Sequence, residues 1–155
     1  MAATSCFALL LVALFVACVA SIGTERNFTQ LIDHFSSSDA TYQQRFYESE
    51  QYFGGAGNPI FVIMGGEGAA EGLFYPFVYA VLAEEFKALV IEPEHRFYGT
   101  SLPFGEQSYD LGNLQLLNAQ QALADAVDLI IAIQAERKCT ARGTPGYCPV
   151  VTVGG

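Results

Sequence analysis

Three short apolar runs constrain what this chain can fold into. Ile60-Phe61-Val62-Ile63-Met64, Ala88-Leu89-Val90-Ile91 and Val150-Val151-Thr152-Val153 carry no charge and are rich in β-branched side chains. Continuous runs of this kind are how strands buried on both faces of a parallel sheet read. Each run ends in a turn: Gly65-Gly66-Glu67-Gly68, Glu92-Pro93-Glu94-His95, and Gly154-Gly155. Segments with helical spacing lie between them. The order strand, helix, strand, helix, strand predicts βαβ units and an α/β fold, a parallel sheet with flanking helices. Such sheets place their chemistry at the carboxyl ends of the strands, where these three turns converge.

The first predicted helix covers 76–86, with Phe77, Ala80, Val81 and Phe86 as its apolar positions and Pro76 in its first turn. The second is better marked. Leu116, Ala119, Leu123, Val127, Ile130 and Ile133 recur at three- and four-residue spacing, with Gln120, Asp125, Asp128 and Gln134 mostly on other faces. Asn118 is the expected N-cap, with Gln121 in the capping-box position and Arg137 and Lys138 closing the helix. Upstream, 27–35 and 41–47 mix aromatic with polar residues and predict two partly exposed strands joined by a Ser-rich turn. Residues 54–59 and 100–112 read as loops.

The first twenty residues carry no charged side chain, and Cys6–Ala20 is an apolar run ending in a small-x-small pattern. This reads as a secretory signal over 1–20, although a basic n-region is missing. The rival reading, a membrane anchor, has only about 15 apolar residues, short for a comfortable span. Residues 21–155 therefore carry the whole net charge of −9. That balance argues against nucleic acid and anionic membranes as partners, both of which need a basic face. It suits an extracellular, lysosomal or vacuolar protein. Of the four cysteines, Cys139 and Cys148 lie beyond the signal and flank a Gly/Pro loop. In an oxidising compartment they favour a local disulfide over two free thiols. Asn27-Phe28-Thr29 is a glycosylation sequon consistent with that route. No His or second Cys pair lies at ligand spacing, so no metal is expected, nor is a cofactor.

Gly65, Gly66 and Gly68 allow backbone N–H groups to approach a ligand closely, as an oxyanion hole requires. A phosphate loop is disfavoured, because no Lys-Ser/Thr follows and Glu67 would repel the anion. A plain turn is the remaining alternative. His95, between Glu94 and Arg96, fits a satisfied hydrogen-bond network better than a catalytic base. His34, between Asp33 and Phe35, reads the same way.

Five blocks taken together carry a resemblance. They are residues 28–35 (FTQLIDHF), 44–46 (QRF), 59–61 with 65–68 (PIF with GGEG), 94–103 (EHRFYGTSLP) and 121–125 (QALAD). In this order they resemble the serine peptidase family of lysosomal Pro-X carboxypeptidase, dipeptidyl peptidase II and thymus-specific serine protease. The likeness runs from about Asn27 to Gly155. It implies an α/β-hydrolase fold, of which 21–155 would be the N-terminal part, cut at the nucleophile elbow. Gly154 and Gly155 match the elbow glycines, and the nucleophilic serine is expected directly after Gly155. The elbow needs small neighbours because its serine sits on a strained strand-to-helix turn.

In this fold the triad Asp and His follow the serine in chain order. Catalytic residues would thus be absent from residues 1–155, and so would the family's helical insertion. The resemblance makes Gly65, Gly66 and Gly68 oxyanion-loop candidates. Glu67, and the block from Glu94 through His95, Arg96 and Tyr98 to Gly99, are placed near the active-site edge, holding substrate or bracing loops. Pro93 is less usual at that handover. The implied partner is a short proline-containing peptide cut beside proline, at either end; oligomeric state stays open. A non-catalytic secreted fragment and a lipase or esterase of the same fold are the alternatives. A sheet ending at Val153 would also leave an apolar edge unpaired, which predicts self-association of the isolated chain.

Overall fold

The computed structural model describes residues 23–154. The predicted signal segment 1–20 and Gly155 lie outside the described residues. Five strands form one mixed sheet: β1 (Thr24–Leu31), β2 (Thr41–Ser49), β3 (Ile60–Ile63), β4 (Leu89–Pro93) and β5 (Val150–Val153). Their spatial order is β1-β2-β4-β3-β5. β2 runs antiparallel to both its neighbours, whereas β3 pairs in parallel with β4 and with β5. The architecture is mixed α/β and compatible with an α/β-hydrolase-like fold.

Each face of the sheet packs on one helical segment. On one face Ile60, Val62, Leu89 and Ile91 pack against Leu129 and Ile133 of the long helix α2 (Ala119–Glu136), together with Phe46 and Cys148. On the other, Phe61, Ile63 and Val90 meet Val78 and Ala83. That second helical segment is a π-helical stretch, Phe77–Leu82, running directly into α1 (Ala83–Phe86), and Lys87 ends it in a left-handed conformation. Alternate residues of a strand face opposite sides, so the continuous apolar sequence of β3 and β4 supplies both cores at once. All four residues of β3 and all five of β4 are buried. A disulfide joins Cys139 to Cys148 and closes the loop between α2 and β5.

Several sequence expectations need correction. β5 forms, but it is not buried on both faces: Val151 and Thr152 are exposed and Val151 keeps 47% of its surface. The cause is its place at one margin of the sheet, where among the described residues only β3 pairs with it. The inward face of α2 is also not the expected apolar stripe. Leu123 and Val127 are exposed, and Gln121, Asp125, Ala126, Leu129 and Ile133 are buried. Polar partners elsewhere turn Asp125 inward, which an apolar period cannot register. In the first helical segment Phe77, Val81 and Phe86 are exposed, while Val78 and Ala83 face the core.

β1 ends at Leu31 rather than Phe35, because Gln121 of α2 holds the next residues. Its Nε2 donates to Asp33 Oδ1, and its Oε1 accepts from the His34 N–H at 2.9 Å. Gln121 therefore does not return to the N-cap as a capping box would. Asn118 does cap the helix, its Oδ1 accepting from the Gln121 N–H at 3.0 Å. The 100–112 segment contains a 3₁₀ turn, Gly105–Tyr109. At the far end of α2, Arg137 bonds Glu48 and Glu50 at 2.7 Å each and fixes the helix to β2.

Candidate active site

The turns that follow β3 and β4 meet at one end of the sheet together with Gly154, the residue after β5, as parallel strands require. They enclose an open cavity of about 770 Å³ lined by Gly65, Gly66, Glu67, Gly68, Phe74, Tyr75, Glu92, Glu94 and Gly154, among others. The chain leaves β3 beside the end of β4. A Cβ on Gly65 would stand 2.3 Å from the Pro93 carbonyl oxygen, so only glycine passes there. Gly66 and Gly68 are different: they are exposed, with open space where a side chain would go. Among the described residues, the N–H groups of Gly66, Glu67 and Gly68 make no hydrogen bond with another backbone group. Donors without partners at the mouth of a cavity can serve a ligand oxygen.

The floor of the cavity is acidic, and its two carboxylates behave differently. Glu94, just past β4, is fully buried and saturated with donors. Oε2 accepts from the Thr100 and Ser101 N–H groups at 3.0 and 2.9 Å and from the Ser101 hydroxyl at 2.7 Å. Oε1 accepts from Arg45 and from the Ala70 N–H. Burial opposes its charge, but these bonds and the Arg45 guanidinium outweigh burial and hold its pKa below the ordinary glutamate value. A Cβ on Gly99 would lie 2.0 Å from Glu94 Oε1, and Gly99 has φ +52°, so this turn is closed to any side chain.

Glu92, the other carboxylate, receives one donor, the Phe74 N–H at 2.7 Å on Oε2. Burial raises its pKa, and that single bond offsets burial only in part.

Of the remaining candidates, His95, Arg96 and Tyr98 do not line this cavity. His95 Nδ1 sits 2.7 Å from the Arg96 carbonyl oxygen, and its ring packs edge-on against Tyr98. Arg96 is fully buried behind the site. It donates to both oxygens of Asp125 at 2.7 and 2.8 Å, and to the carbonyls of Leu31 and Ile32. Asp125 also accepts from the Tyr42 hydroxyl at 3.0 Å and lies 2.8 Å from His34 Nε2. Burial would lower the Arg96 pKa, but its bonds to Asp125 raise it above the ordinary value. Gln30 and Gln44 extend the cluster, the latter donating to the Glu94 carbonyl oxygen at 2.8 Å. The cluster is a brace holding β1, β2, the β4 turn and α2 in register.

Sequence reasoning put Glu92 in a converging turn, where the structure has it inside β4, and gave it no role; it missed the parts played by Arg45, Ser101 and Tyr42 and the inward turn of Asp125. Glu92 had a signal: it is a lone charge ending an otherwise apolar strand. The others become meaningful only once long-range partners are known.

A mixed α/β sheet with a glycine-lined cavity at its carboxyl end defines a class of ligand-binding and catalytic scaffold. Residues 30–155 match the family model described as serine carboxypeptidase S28. The chain is 37% identical to the lysosomal Pro-X carboxypeptidase of Mus musculus over 132 residues, covering 83% of this chain and 26% of that protein. It is 37% identical to the human protein of that name over 136 residues, 83% of this chain and 25% of the relative. Against the human thymus-specific serine protease it is 40% identical over 106 residues, 67% of this chain and 20% of the relative. The chain belongs to the S28 serine carboxypeptidase family, and it spans about a fifth to a quarter of the length of these curated relatives.

Proposed function

We propose that the whole protein is a serine exopeptidase with an α/β-hydrolase domain, and that residues 21–155 form the N-terminal part of that domain. The observation that carries this reading is the shared cavity, in which Gly154 at the end of β5 faces the Gly65–Gly68 loop. A serine directly after Gly155 would stand on the turn leaving β5, where a nucleophile elbow is built. The N–H groups of Gly66, Glu67 and Gly68 would donate to the oxyanion of the tetrahedral intermediate. An Asp and a His from later sequence would complete the relay. The serine attacks the scissile carbonyl, the His takes its proton and passes it to the leaving amine, and water releases the acyl group. Glu94, with Gly99 and Ser101, holds the loops that frame the cavity, and residues 1–155 alone are inactive.

The substrates are short peptides cleaved beside proline. This rests on the names of the Pro-X carboxypeptidase relatives and on the apolar walls from Ile63, Met64, Phe74, Tyr75 and Val153, which suit a proline ring. The protein travels the secretory route to the exterior, a lysosome or a vacuole. The lysosomal relatives, the disulfide and the exposed Asn27 of the sequon support that route. Steady-state hydrolysis of fluorogenic Pro-containing peptides tests it, comparing residues 1–155 with the protein extended through the triad. Turnover is expected only in the longer form. Equal turnover by 1–155 overturns the assignment.

A further inference from the structure

Among the described residues, Glu92 is the least satisfied acidic group for its depth. It retains 5% of its surface, yet only Oε2 has a hydrogen-bond donor. Among the described residues Oε1 has no partner. It is also not among the enclosed unpartnered side-chain atoms, which are Gln30 Oε1, Arg45 Nε and Arg137 Nε. Oε1 therefore opens onto the cavity that Glu92 lines. An oxygen that opens onto a cavity and has no donor from the described chain is available to a ligand that brings a donor or a counter-charge.

The surroundings select the sign of what arrives. Glu67, Glu92 and Glu94 line the cavity, and among the described residues no Lys, Arg or His does. The two nearby guanidinium groups are committed elsewhere, Arg45 to Glu94 and Arg96 to Asp125. Phe74 and Tyr75, an edge-to-face pair with centroids 5.2 Å apart, stand beside Glu92 and offer aromatic surface that favours cations.

We propose that Glu92 is the acceptor for a cationic group of the bound peptide, either its terminal ammonium or a Lys or Arg side chain. The inference rests on reading this cavity as the peptidase site and adds a specificity determinant to it. A cation there would complete the coordination of Oε1 and offset the charge of the acidic floor. Glu92 touches the substrate away from the scissile bond, so it governs choice of peptide rather than chemistry.

The test has a catalytic and a binding arm. In the triad-bearing protein, kcat/KM is measured on one Pro-containing peptide with its amino terminus free or acetylated, and with lysine or norleucine at a neighbouring position. Loss of a charge-assisted bond is expected to cost about tenfold or more in wild type for whichever cation Glu92 reads. In E92Q, which keeps an acceptor for the Phe74 N–H, that ratio should shrink to about twofold or less. The free-against-acetylated pair and the lysine-against-norleucine pair identify the source of the cation. If E92Q slows all four peptides equally, or none, the inference fails while the peptidase reading stands.

The binding arm needs no turnover. In protein labelled with ¹⁵N at phenylalanine, butylammonium should shift the Phe74 amide signal saturably in wild type and not in E92Q, and butyrate should leave it unmoved. A response to butyrate equal to that for butylammonium, or none to either, overturns the inference. A butylammonium response in a protein that hydrolyses no peptide would sink the peptidase reading alone.

Discussion

Glu92 lies in β4 and Glu94 just past its end, two residues apart, and both line the same cavity. Their environments are opposites. Glu94 is held by Arg45, Ala70, Thr100 and Ser101, and behind it Arg96 and Asp125 form a second network of hydrogen bonds. Glu92 has one backbone donor. The difference separates two kinds of buried charge. A carboxylate that holds loops together is surrounded by donors from the chain itself, whereas one kept for a ligand is left incomplete. The sealed networks fix the shape of the cavity edge, and the unsealed group gives it chemical preference.

The largest expected effect comes from breaking the sealed side. D125A leaves Arg96 buried without its partner and should lower stability by about 3–5 kcal/mol, read by urea unfolding. A loss of under about 1 kcal/mol would show that the network contributes little beyond packing. G99A follows, because the added Cβ meets Glu94 at a positive φ. It should cost about 2–3 kcal/mol, as backbone strain and displacement of Glu94 combine. A wild-type midpoint for G99A would contradict the tight turn.

The two glutamates should also respond to pH with opposite signs. Glu94 has a folded pKa below its unfolded value, so its contribution is present above the ordinary carboxylate range and is lost as pH falls through the lowered value. Glu92 has a folded pKa above its unfolded value. Its ionised form weighs against folding at neutral pH, and that penalty disappears as pH falls through the raised value toward the ordinary one. On acidification the stability advantage of wild type over E94Q should shrink, while wild type should gain relative to E92Q. Parallel pH trends in the two comparisons would erase the distinction. At neutral pH E92Q itself should be neutral or stabilising by up to about 1 kcal/mol. The smallest effect is expected at Leu123, exposed on α2, where L123Q should stay within about 0.5 kcal/mol of wild type. A loss typical of a core leucine, about 2 kcal/mol or more, would restore the apolar stripe that the sequence suggests.

Much of the fold was legible because it is written in local patterns. The apolar runs of β3 and β4 and the turn glycines at 65, 66 and 68 mark the central strands and the edge where a site can form. The N-cap at Asn118 also formed as expected. What was not legible depends on partners distant in sequence. Asp125 reads as a solvated helix residue until Arg96 and Tyr42, 29 and 83 positions away, come to meet it. Gln121 fits a capping box by spacing, yet its amide is claimed by Asp33 and His34 across the fold. Val151 reads as a core residue by composition, and its place at the sheet margin exposes it. In the site, His95 drew notice by residue type and Tyr98 through the family resemblance, while the quieter Glu92 faces the cavity.

The assignment of this cavity as a peptidase site is tested most directly by covalent labelling. The full-length protein is reacted with a fluorophosphonate and the modified residue is located by peptide mass spectrometry. The expected result is one adduct, on a serine immediately following Gly155, with peptide hydrolysis lost in proportion to labelling. An adduct at any other residue, or hydrolysis that survives replacement of that serine by alanine, would contradict the assignment.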